Sequence, residues 1–121
     1  MAYDFDIPLI GCNLSNGKYK DMNDEDNKRE AYMLKTISEF IPKGRCLVQL
    51  GDHHLRSIPI SKEYLIYSGS NKDDRGKYGL DDLIVNHPSP IFEKYKNSNN
   101  VLIMRVKKEY EKEQNFIKSR N

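Results

Sequence analysis

The sequence has no long apolar run. Its hydrophobic fraction is 37% against 31% charged residues, and no stretch reaches the roughly 20 apolar residues that a membrane-crossing helix needs. Met1-Ala2-Tyr3-Asp4-Phe5-Asp6 lacks the basic start and apolar core of a secretory signal. The expectation is a soluble, cytoplasmic protein with a strongly polar surface. Cysteine is equally scarce. Cys12 and Cys46 form no C-x-x-C pair, and both fall in segments expected to be buried strands. They read as small buried hydrophobes of a reducing compartment; a disulfide would need those two strands to be neighbours. Charge of one sign is missing as well: 20 Lys+Arg face 18 Asp+Glu, a formal net charge of +2. That balance lacks the dense positive field of a dedicated nucleic-acid binder. Neither nucleic acid nor a membrane is therefore an expected partner.

Absent motifs narrow the chemistry further. There is no G-x-x-x-x-G-K-[ST] phosphate loop and no G-x-S-x-G nucleophile elbow. Asp21, Asn23 and Asp24 lack the glycine and terminal glutamate of a calcium loop. Asp24-Glu25-Asp26 instead sits where a helix N-terminus favours negative charge.

What is present fits one domain over residues 1–121. An apolar strand is expected at residues 7–14, then a polar loop. A helix follows from about Asn27 to Ile41, with Met33, Ile37, Phe40 and Ile41 on one stripe, widened by Leu34 and stopped by Pro42 and Gly44. Residues 46–50 read as the next strand, which makes a βαβ unit. Residues 64–68, β-branched and aromatic, read as a third strand. Residues 68–79 form a long turn-rich loop, and residues 80–85 a short strand or helical turn. Residues 91–95 read as a short helix and residues 101–106 as a last strand. The charged tail, 107–121, can form a helix with Glu/Lys pairs one turn apart. Its apolar points are few, so it should fray unless something covers it. The fold class expected is α/β: a single domain with a mostly parallel four- to five-stranded sheet and flanking helices.

Chemistry concentrates where residues 46–50 run into Gly51-Asp52-His53-His54-Leu55-Arg56. Two of the three histidines are adjacent here, and ligands of open α/β sheets bind outside the carboxyl ends of strands. The expected function is binding, or sequestration, of an anionic, nucleotide-like small molecule. Gly51, Asp52, His53, His54 and Arg56 would form one wall, and Lys72, Arg75, Lys77 and Tyr78 of the long loop the other. Arginine suits bidentate contact with phosphate or carboxylate, and Tyr64, Tyr67 and Tyr78 can supply an aromatic wall. Asp52 and His54 are the candidate acid–base pair. On an extended segment consecutive side chains point oppositely, so His53 and His54 should not share a metal. The plainer alternative is a strand end whose histidines cap backbone groups, followed by a solvated loop.

These residues also carry a resemblance. Arg29-Glu30-Ala31-Tyr32-Met33 on a helix, the apolar strand, then Gly51-Asp52-His53-His54 as a G-x-x-H motif, with Arg56 and Pro59 after it, resemble the C-terminal half of the ChaN/Tiki/TraB/erythromycin-esterase-like superfamily. The resemblance spans roughly Leu9 to Pro59. It implies His54 as the family-position histidine and candidate metal ligand, and two further functions: a metal-dependent hydrolase or esterase, or a haem-binding protein like ChaN. A divalent metal or haem would then be the cofactor. Family sites are built from two halves. The other half has no room before Leu9 and is not visible after Pro59. The site then needs either a second copy of the chain or a ligand that uses this half alone. A homodimer or higher homo-oligomer is expected.

Overall fold

The computed structural model describes residues 10–13, 17–70 and 79–120. Four α-helices organise them: α1 Met22–Phe40, α2 Lys62–Ser68, α3 Pro90–Tyr95 and α4 Lys107–Ser119. Tighter helical turns occupy Ile41–Lys43, Asp52–Leu55 and Leu80–Leu83. The expected mostly parallel four- to five-stranded α/β sheet is absent. Among the described residues the β pairing is one antiparallel bridge, Ile60 to Val85, closed by backbone bonds of 2.8 and 3.0 Å. No helix among the described residues is long and apolar enough to cross a membrane.

Each misplaced strand has its own physical reason. Residues 64–68 lie in α2. Ser61 caps it by accepting the Tyr64 N–H at 3.1 Å, and Gly69 ends it with φ 74°, a left-handed conformation that glycine adopts without penalty. Tyr64 and Leu65 face in while Ile66 and Tyr67 are exposed, a helical pattern that β-branched and aromatic composition concealed. Residues 46–50 and 101–106 are free of helix, but among the described residues no ladder joins them to anything. Along the second, Val101 and Ile103 are half-buried while Leu102 and Met104 are exposed, the alternation of a strand without a neighbouring strand. Cys46 is exposed rather than buried and Cys12 half-buried; both thiols are free. Half of the expected 7–14 strand lies outside the described residues, and residues 10–13 form no strand.

The helices were better announced. α1 starts at Met22, ahead of the expected Asn27, because Asp21 accepts the Asp24 N–H at 2.8 Å as an N-cap. Ser89 caps α3 with Pro90 in its first turn. The tail is helical as α4, held by Phe116, which is buried and packs edge-on against Tyr64 at 5.1 Å between ring centroids. Two apolar clusters result. Ile60, Tyr64, Leu65, Leu83, Val85 and Phe116 form one, with Met22 against it. Met33, Ile37, Ile91 and Tyr95 form the other, with Leu50, Leu55, Val101 and Ile103 against it. The buried face of α1 links them, and between its apolar ends it carries three buried acids, Glu25, Asp26 and Glu30.

Candidate functional site

Burying a carboxylate costs several kcal/mol unless it is paired and hydrogen-bonded. Asp26 and Glu30 lie one helical turn apart on α1, and the helical turn Asp52–Leu55 supplies both partners. In a tight helical turn successive side chains are rotated by about a third of a circle, not by half as in a strand. His53 and His54 therefore both reach the same helix. Nε2 of His53 lies 2.5 Å from Oδ2 of Asp26, and Nδ1 of His54 lies 2.9 Å from Oε2 of Glu30. Their rings meet edge-on at 5.7 Å. Each histidine meets its own carboxylate on that helix, where an extended segment would have turned the two rings to opposite sides.

Arg56 closes this network. Its side chain is 1% exposed and that of Glu30 is fully buried. Nη1 donates to Glu30 Oε2 at 2.6 Å and Nη2 to Oε1 at 3.1 Å, a bidentate pair. The rest of the guanidinium donates to the carbonyls of His87 and His53 at 3.0 to 3.2 Å. Ser89, also buried, donates its hydroxyl to the His54 carbonyl and its N–H to the Arg56 carbonyl. That fixes the turn against the start of α3.

A second network adjoins it. Arg105, at the end of residues 101–106, donates to Asp52 Oδ2 at 2.8 Å and Oδ1 at 3.2 Å. It also holds Glu113 of α4 at 2.5 and 3.1 Å. Glu113 Oε2 further accepts the N–H and hydroxyl of Ser57. Between the networks and the first apolar cluster opens a cleft of about 520 Å³. Asp52, His53, Arg56, Arg105, Glu109 and Glu113 line its polar end; Met22, Ile60, Tyr64, Leu65 and Leu83 line its apolar end.

The ionisable groups respond to these surroundings. Burial of Asp26 would raise its pKa, but the His53 hydrogen bond and the nearby positive charge outweigh that, and the carboxyl lies below its ordinary value. As an ionised acceptor Asp26 takes a proton donated by Nε2 of His53. Desolvation, then the charge of Arg56, lowers His87 below its ordinary value. His87 Nδ1 is a buried polar atom with no partner, which suits a neutral ring. Burial would lower Arg105, but its bonds to Glu113 and Asp52 reverse that and raise it. Tyr64 is pushed up to about 12 by burial and then by Glu113 and Glu109.

Asp26, Glu30 and His54 bring potential ligand atoms within 4.8 Å of one another, yet they do not fit a resident cation. Both Glu30 oxygens are engaged by Arg56, and Asp26 Oδ2 by His53. A divalent ion there would compete with the buried Arg56 guanidinium and with His53 for the same carboxylate oxygens. His54 is absent from the cleft lining, so a haem in the cleft would not meet the histidine that the resemblance nominates.

Of the residues nominated from sequence, Asp52, His53, His54 and Arg56 converge; Gly51 caps their turn with extended backbone. Lys72, Arg75, Lys77 and Tyr78 lie outside the described residues. Sequence reasoning missed Asp26, Glu30, His87, Arg105 and Glu113. One signal pointed to the first two: positions 26, 30, 33 and 37 keep helical spacing, so the Met33–Ile37 stripe continues through acids. No protein-family model, no curated protein and no solved structure matches the chain.

Proposed function

We propose that the cleft binds a small molecule and that His53 moves a proton on it, in the hydrolysis of a small ester by water. One observation carries this reading: the buried carboxylate of Asp26 holds Nε2 of His53, while the His53 side chain is 41% exposed and lines the cleft. A buried acid that fixes the tautomer and orientation of an imidazole is what a general base needs. In its neutral form His53 keeps Nδ1 as the acceptor. That nitrogen takes a proton from water as the water oxygen bonds to the carbonyl carbon. It returns the proton to the alkoxide oxygen as the C–O bond breaks. Arg56 and Arg105 line the cleft with their N–H groups engaged by carboxylates and carbonyls, so they offer the carbonyl oxygen fixed positive charge and no direct hydrogen bond.

A neutral, amphipathic ester fits better than the anionic, nucleotide-like ligand expected from sequence. Both cleft arginines are committed to carboxylates, and Asp52, Glu109 and Glu113 add negative charge. The hydrolase alternative implied by the G-x-x-H resemblance is favoured, with the active histidine moved from His54 to His53. The test is release of p-nitrophenol from short-chain p-nitrophenyl esters. His53→Gln should cut kcat by about 10²–10⁴, and Asp26→Asn should cut it less because the base remains. Wild-type protein that does not exceed the buffer rate, or full activity in His53→Gln, would remove the reading.

A further inference from the structure

A second depression meets the histidine cleft at Arg105, which lines both. It measures about 610 Å³ and runs beside residues 101–103, between Phe92 and Tyr95 of α3 and Tyr110 of α4. Two properties set it apart. The first is backbone. Among the described residues, nothing bonds the N–H or C=O groups of residues 101–104, although Leu102 and Met104 stand out at 84% and 78% exposure. An extended segment with open polar groups and outward apolar side chains is a template for one more strand. The second is charge. Lys96, Arg105 and Lys107 line the groove and no carboxylate does. Among the described residues Lys96 and Lys107 are tied only to Glu93 at 2.8 Å and Glu111 at 3.8 Å, solvent-exposed pairs of the kind worth little, so an incoming carboxylate can take either lysine.

From these we infer that the groove receives an extended acidic peptide, which adds as a strand along residues 101–104. Alternate apolar side chains of the peptide cover Leu102 and Met104, and its acidic side chains meet Lys96 and Lys107. Row upon row of open backbone groups favours a peptide over a nucleotide, for which the segment offers no phosphate loop. A second copy of this chain is disfavoured, because residues 101–106 are followed by Lys107-Lys108 and bring no carboxylate to the lysines.

The test uses the full chain and a fluorescein-labelled peptide of alternating Glu and Val, with its Lys/Val counterpart as control. Fluorescence polarisation should show saturable binding of the acidic peptide alone, weakened at least roughly tenfold by the double variant Lys96→Glu/Lys107→Glu and by rising salt. Because these lysines are exposed, the variant should keep the wild-type unfolding midpoint. Amide exchange of residues 101–104 should slow when the peptide is added. The inference is overturned if the acidic peptide does not bind, if both peptides bind alike, or if the variant binds as well as wild type. It is also overturned if an oligonucleotide binds in the peptide's place, or if residues 101–104 are protected by self-association without peptide.

Discussion

Two regions of this chain break the rule of apolar inside and polar outside, in opposite directions. Around the turn Asp52–Leu55, the side chains of Arg56, Asp26 and Glu30 are buried almost completely, and each finds partners on another element. Along residues 46–50 and 101–106, Leu47 is 95% and Leu102 84% exposed, and neither stretch has a ladder partner among the described residues. The contrast teaches that burial follows available partners more closely than it follows side-chain type. Charges are tolerated inside when a facing element supplies the opposite charge in good geometry. Apolar, β-branched segments stay outside when no second strand exists to complete them.

The sharpest way to break that contrast is to remove one member of the buried pair. Glu30→Ala leaves Arg56 charged and enclosed, and should cost about 3–5 kcal/mol in urea unfolding. Arg56→Met alone should be similarly severe, since among the described residues it leaves the buried Glu30 carboxylate with only the His54 and His87 rings beside it. The double variant Glu30→Leu/Arg56→Met should recover much of the loss, because no unpaired charge remains. Single variants that lose under about 1 kcal/mol would show that this pair behaves like a surface pair, and the contrast would lose one side.

The sequence made the helical stripe of Met33 and Ile37 legible, along with the stop at Pro42, the short helix at Pro90–Tyr95 and the concentration of chemistry at Asp52–Arg56. It hid most of the rest for reasons of physics. An isolated apolar run does not say whether a partner strand exists, so residues 46–50 and 101–106 read as sheet. Residues 64–68 have strand composition but a Ser61 cap and a Gly69 stop, and the end signals decided the outcome. The acids of the site were hidden by the assumption that a charge near a helix start serves capping. Asp24 does lie in the first turn of α1, but Glu25 and Asp26 turn inward. Glu25 pairs with Arg29 one turn on, but the partners of Asp26 and Glu30 come from positions remote in sequence, His53 and Arg56. Arg105 and Glu113 meet only because residues 101–106 and α4 both return to the turn.

Acid should dismantle the buried network in stages. His87 lies below its ordinary value of 6.5 in the folded chain and Asp26 below its ordinary value of 3.8. For a depressed group the unfolded state binds protons first, so its stabilisation is present above the ordinary value and is lost as pH falls toward and through the folded value. The unfolding midpoint should therefore drop once below pH 6.5 and again below pH 3.8. Asp26→Asn should shrink the second drop, leaving the part due to Asp24, which is also lowered, and should deepen the first, because the charge of Asp26 holds His87 up. An NMR titration placing His87 above its ordinary value would reverse the sign of the first.

The smallest expected effect tests the opposite side of the contrast. Leu47→Ser and Leu102→Ser should each change stability by no more than about 0.5 kcal/mol, because these side chains are 95% and 84% exposed and have little burial to lose. Met33→Ala, at 1% exposure, should cost about 2–5 kcal/mol by the cavity it leaves. The same Leu102→Ser change should weaken acidic-peptide binding while the unfolding midpoint measured without peptide stays put. A stability loss above about 1 kcal/mol at Leu102, growing with protein concentration, would mean that copies of the chain cover this face. Residues 101–106 would then be an interface between copies rather than an open edge.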